Sequence, residues 1–105
     1  MRKKKTFKIN ELEWTLDYQP RSVMDVYYKG VLGVCILQTT TIVVNDELKG
    51  EHLKRVILHE LIHAFFYSYA RNNENITEED VAEFVEVHFH EIEKIINKLT
   101  KEKEN

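Results

Sequence analysis

Between Leu53 and Tyr69, the apolar residues Leu53, Val56, Ile57, Leu58, Leu61, Ile62, Phe65, Phe66 and Tyr69 fall in nearly every direction around a helical axis. A helix that is apolar on all sides has to be buried, so the rest of the chain is expected to wrap it. With 105 residues, the chain can close one hydrophobic core and has no material for a second. Residues 1–105 therefore read as a single compact domain, with frayed ends at about 1–5 and 101–105.

Periodicity suggests what does the wrapping. Leu12, Trp14, Leu16 and Tyr18 alternate with Glu13, Thr15 and Asp17, the period of a half-buried strand, and Phe7 to Ile9 fits a shorter strand before it. Pro20 closes this unit, and Arg21 to Lys29 fits either a short helix or irregular chain. Val34 to Leu37 and Thr41 to Val44, separated by Gln38-Thr39-Thr40, predict a hairpin. The helix is expected to end near Arg71, before the polar run Asn72-Asn73-Glu74-Asn75. Thr77 and Asp80 then have the spacing of a capping box, and Glu78 and Glu79 suit a positive helix start. Val81, Phe84, Val85, Ile92, Ile96 and Leu99 form the inward stripe of a second helix. The expected fold class is α+β: a small antiparallel sheet packed on the buried helix and on a second, C-terminal helix.

Charge and composition narrow the partners. Fifteen Lys and Arg against eighteen Asp and Glu leave a net charge of −3, which does not point to nucleic acid. The single Cys35 excludes an internal disulfide and a cysteine cluster for a metal. Arg2 to Lys5 could open a signal peptide, but Thr6 to Glu11 offers no apolar region after it. The apolar stretch Val31 to Leu37 is interrupted by Gly33 and is too short to span a bilayer. The expectation is a cytoplasmic domain that meets a protein or peptide, neither nucleic acid nor a membrane.

The chemistry is concentrated in His59-Glu60-Leu61-Ile62-His63. Histidines at i and i+4 stand one above the other on a helix, about 5–6 Å apart at Cβ, so both imidazoles can reach one tetrahedral ion. Glu60 lies about 100° round the axis, where it flanks the ion and can take a proton from water, the arrangement of zinc-dependent peptide hydrolysis. Two imidazoles and a carboxylate are costly in so apolar a helix without partners. A catalytic zinc site takes three protein ligands and keeps one position open. Glu78 shares the inward stripe with Val81 and Val85 and is one candidate for the third ligand; Glu79 is one step round the axis. His88 competes, because counting back from the turn between antiparallel helices sets the level of His63 near Val85 and that of His59 near Phe89. His88, Tyr67 and Tyr69 are candidates for a donor to the reaction oxygen. His52 and His90 read as surface residues. The strand Thr41 to Val44, were it a sheet edge beside the cleft, could hold an extended peptide.

Through Thr41-Ile42-Val43-Val44-Asn45-Asp46, Leu58-His59-Glu60-Leu61-Ile62-His63-Ala64 and Glu78 to Val85, the chain resembles small HExxH zinc metallopeptidases of phages and mobile elements, akin to the ImmA/IrrE-type and minigluzincin groups. The resemblance covers about Trp14 to Ile96 and implies a zincin-like fold, zinc held by His59, His63 and Glu78, and Glu60 as general base. Gluzincins often carry Asp or Asn four residues after the third ligand; this chain has Ala82, whereas Glu79 would place Glu83 there. The segment Gly33 to Gln38 also resembles the cysteine segment of peptide deformylases. Leu61-Ile62 stand, however, where those enzymes carry Asp before the second His, so Cys35 is expected as a small core residue. The function implied is a zinc-dependent endopeptidase. The alternative is a zinc-stabilised interaction module without catalysis, with the basic start and the acidic second helix as contact surfaces.

Overall fold

Strands β1 (Lys5–Ile9) and β2 (Leu12–Gln19) pair antiparallel, with Phe7 opposite Trp14 and Ile9 opposite Leu12. This computed structural model describes residues 2–70 and 76–101. The two-residue turn is built by Asn10 and Glu11, both left-handed at φ 50° and 66°. Two left-handed residues give the turn the twist of the strands it joins. Asn10 Nδ2 also donates to the Ser68 carbonyl at 3.0 Å, tying the hairpin to the end of a later helix.

After β2 the chain enters α1 (Arg21–Tyr27), whose first free N–H groups follow Pro20, a residue with no N–H to lose. It returns through β3 (Gly33–Ile36), one 3₁₀ turn at Leu37–Thr39, and β4 (Thr41–Asn45). β3 and β4 form the expected antiparallel hairpin, with Cys35 opposite Ile42. β4 then inserts beside β2 in the parallel sense, Leu16 opposite Ile42 and Tyr18 opposite Val44. The sheet order is β1-β2-β4-β3, so the sheet is mixed where an antiparallel one was expected. The reason is connectivity: α1 and β3 between them return the chain to the starting end of β2 before β4 begins. β4 is thus an interior strand, and the open edge beside the hairpin is β3. Thr41 to Val44 therefore does not meet the condition for holding an extended peptide, and of the two strands of the hairpin it is β3 that has the free edge.

α2 (Gly50–Ser68) and α3 (Glu78–Thr100) cover one face of the sheet. Trp14, Leu16 and Tyr18 of β2 and Ile42 and Val44 of β4 meet Leu53, Ile57, Leu61, Ala64 and Phe65 of α2 and Phe84, Ile92, Ile95 and Leu99 of α3. Val43 points to the other face, where α1 packs against β4 and buries Met24. α3 starts as expected: Thr77 Oγ1 accepts from the Asp80 N–H at 3.1 Å, and Asp80 Oδ2 accepts from the Thr77 N–H at 3.0 Å. Its buried stripe differs from the expected one, running through Phe84, His88, Ile92, Ile95 and Leu99, while Val81 and Val85 are exposed.

α2 is not enclosed on all sides either. Leu58, His59, His63 and Tyr67 are exposed, leaving one open face, and the helix stops at Ser68 ahead of the expected Arg71. Arg71 to Asn75 and Glu102 to Asn105 lie outside the described residues, as does the expected fraying of 102–105. The amino-terminal arm is held: Arg2 donates to the Leu48 carbonyl at 2.8 Å, and Lys5 already belongs to β1. Among the described residues no helix is long and apolar enough to cross a membrane.

Candidate active site

The open face of α2 carries the two histidines. His59 and His63 meet edge to face with ring centroids 5.2 Å apart, as the four-residue spacing predicts. Tyr67 continues the same row four residues later and stands edge-on to Trp14 at 6.1 Å. Glu60, one step round the helix, turns towards β3 and is 8% exposed. It has no hydrogen bond or ion pair among the described residues.

Gly33 makes this approach of strand to helix possible. A Cβ at Gly33 would lie 2.7 Å from Val56 Cγ1, closer than packed atoms tolerate, and in tight contact with Glu60 Cγ at 3.3 Å. His59, Glu60, Ile62, His63, Phe66 and Tyr67 form one wall of a cleft of about 810 Å³. Gly33, Val34 and Cys35 of the edge strand β3 face them, and Tyr27 at the end of α1 with Tyr28, Lys29 and Val31 after it close the rim.

Burial raises the pKa of the Glu60 carboxyl, and the neighbouring His59 and His63 pull it part of the way back. A carboxylate poised to accept a proton has this character. Cys35 also lines the cleft, in partial agreement with its expected core role, because it is half-buried. Burial, and secondly the charge of Glu60, push its thiol from 9.0 up to about 12. At pH 8, iodoacetamide is expected to alkylate Cys35 about 10³-fold more slowly in the folded, metal-free chain than in urea, as the loss of thiolate requires. Mass spectrometry of timed aliquots measures this; equal rates would show a thiol that is neither buried nor charged against.

The other candidates fall elsewhere. His88 is 8% exposed and sits among the rings of Tyr69 at 4.3 Å, Phe84 at 4.5 Å and Phe65 at 5.8 Å. Phe65 is two residues beyond His63, about 200° round α2, so His88 packs behind the helix that presents the histidine pair. Tyr69 is likewise turned away, its hydroxyl donating to Glu91 Oε1 at 3.1 Å. Burial and that carboxylate raise the phenol pKa. Of the three candidate oxygen donors, only Tyr67 lines the cleft. Glu78 and Glu79 are exposed in the first turn of α3 and do not line it. α3 does reach the cleft wall, since Phe84 packs on Phe66 at 4.3 Å. Among the described residues no three of His, Cys, Asp and Glu stand close enough together to hold a metal ion. His52 and His90 are exposed, as expected.

Sequence reasoning missed Tyr27, Tyr28 and Lys29. The local signal for them is the turn at Lys29-Gly30, both left-handed at φ 57° and 74°, which swings the end of α1 over the cleft. Compared with models of protein families, with curated proteins and with solved structures, the chain matches none.

Proposed function

We propose that this chain is a cytoplasmic zinc-dependent endopeptidase. The observation that carries the reading is the juxtaposition of His59 and His63, ring against ring, with the buried, unpartnered Glu60 in one cleft beside an open strand edge. His59 and His63 fit the metal, as imidazoles one helical turn apart are zinc ligands by type and spacing, and Glu60 beside them has no hydrogen-bond partner among the described residues. His59 and His63 would hold the ion. Glu78 is proposed as the third ligand on the family resemblance, although it stands exposed outside the cleft lining. When bound, zinc supplies a Lewis acid that polarises the scissile carbonyl and acidifies water.

The chain's own residues perform the rest. Glu60 accepts the proton of the attacking water and returns it to the leaving amine. Its raised pKa helps the second half of that exchange. Among the described residues β3 pairs only with β4, so its outer edge can add an extended peptide strand alongside Glu60. Tyr67, in register with the two histidines, is positioned to donate to the developing oxyanion. Tyr27, Tyr28 and Val31 on the rim offer apolar contacts to the side chains of a bound peptide.

The test is cleavage of a quenched-fluorescent peptide library by the zinc-loaded chain. Hydrolysis is expected to stop on chelation and return when zinc is restored. Cleavage that continues unchanged in excess chelator would contradict the reading.

A further inference from the structure

At the far end of α2 the fold gathers positive charge. Two adjoining hollows of about 540 and 270 Å³ share Leu53 and Thr100 in their linings. Around them stand six cations, Arg2, Lys3, Lys5, Lys49, Lys54 and Lys101, and among the described residues no carboxylate lines either hollow. These side chains come from the amino-terminal arm, β1, the start of α2 and the end of α3, so only folding brings them together. Leu53 precedes His63 by ten residues, about 15 Å along the helix, which separates this groove from the cleft.

Lys3, Lys49, Lys54 and Lys101 have neither a hydrogen bond nor an ion pair among the described residues. Of the nearby acids, Asp46 accepts the Arg2 backbone N–H at 3.4 Å and Glu47 pairs with Arg21 at 3.2 Å, while Glu51 in the first turn of α2 lies outside both linings. The start of α2 adds its partial positive charge, because Lys49 at the cap position offers no side-chain acceptor. Like charges held together repel and weaken a fold, and the chain has eighteen acidic residues with which to dilute them.

We propose that this groove is a docking site for an acidic segment of a partner protein. Its size suits a few side chains, and its walls are ammonium groups above Leu53 and Leu99. A nucleic-acid strand fits less well. Among the described residues the only ring in the groove, Tyr18, is 2% exposed beneath the Arg2 guanidinium at 5.0 Å, so it offers no open face for a base to stack on. The net charge of −3 also repels a long, uniformly charged strand, whereas a short acidic segment meets only the local field. The proposal is independent of the metal chemistry and would survive its failure.

Fluorescence anisotropy on the full, metal-free chain tests it, with a labelled peptide of glutamates flanking two leucines as the probe. Saturable binding at low salt is expected, weakened about tenfold or more by the combined reversals Lys3→Glu, Lys49→Glu and Lys54→Glu. Arg55→Glu, exposed on α2 and outside the groove, should change affinity by about twofold or less. Circular dichroism checks that the reversal variant folds; should it not, Lys49→Gln with Lys54→Gln replaces it and should still weaken binding. Three results would overturn the proposal: no peptide binding, binding indifferent to the groove substitutions, or tighter binding of a labelled oligothymidylate of equal length.

Discussion

Glu60→Gln is expected to lower the rate of peptide hydrolysis by about 10²–10⁴-fold while zinc remains bound. The amide has the shape of the carboxylate, so it keeps the packing of Glu60 against Gly33 of β3. It cannot accept a proton from water or pass one to the leaving amine. Because Glu60 flanks the histidines and is not proposed as a ligand, metal content should not follow activity. The substitution also removes a carboxylate that burial disfavours in its charged form, so the metal-free variant should unfold at no lower a temperature than the wild type near neutral pH. Turnover number, metal content and thermal midpoint measured on one preparation separate these effects. A Gln variant that cleaves at the wild-type rate would remove Glu60 from the mechanism.

The largest expected loss of stability lies beneath the cleft, at Trp14. This side chain is fully buried in β2, and its indole N–H donates to Ser68 Oγ at 2.8 Å. Its ring supports Tyr67, so it connects the sheet to the end of the helix that carries the histidine pair. Trp14→Ala should cost about 3–5 kcal/mol, the sum of lost burial and the cavity left behind. Domains of this size have only about 5–15 kcal/mol in total, so the urea midpoint should fall steeply. Ser68→Ala removes only the hydrogen bond and should cost about 1 kcal/mol. Similar small losses in both variants would mean that the indole is not packed as described.

What could be read from the sequence was local. The alternation from Leu12 to Tyr18 and the Thr77–Asp80 box depend on neighbours a few residues away, and both appear in the structure. So does the histidine pair, whose contact follows from one helical turn. The errors arose where long-range packing decides. Nothing in Thr41 to Val44 distinguishes an interior strand from an edge, because its partner β2 lies on the far side of α1 and β3. The assignment of Val81 and Val85 to the buried stripe treated α3 as packing along its whole length. In the structure Phe84, His88, Ile92 and Leu99 are buried as expected and Ile95 joins them, while both valines and Glu78 face outward. Counting levels from the turn sets His88 opposite Glu60, whereas it lies beside Phe65 and Tyr69, more than a helical turn further along α2 and on the side away from the histidine pair. The Asn10–Glu11 turn was also hidden, because Glu at a left-handed position carries none of the glycine signal of a tight hairpin.

The central claim is that His59 and His63 hold a metal ion, and elemental analysis of the purified chain tests it most directly. About one zinc per folded chain is expected, lost in His59→Ala and weakened in Glu78→Gln. Zinc retained in Glu78→Gln but absent from His59→Ala would keep the site and move its third ligand. A folded wild type that carries no metal, even after incubation with zinc, would contradict the account and leave a protein-interaction module as the better description.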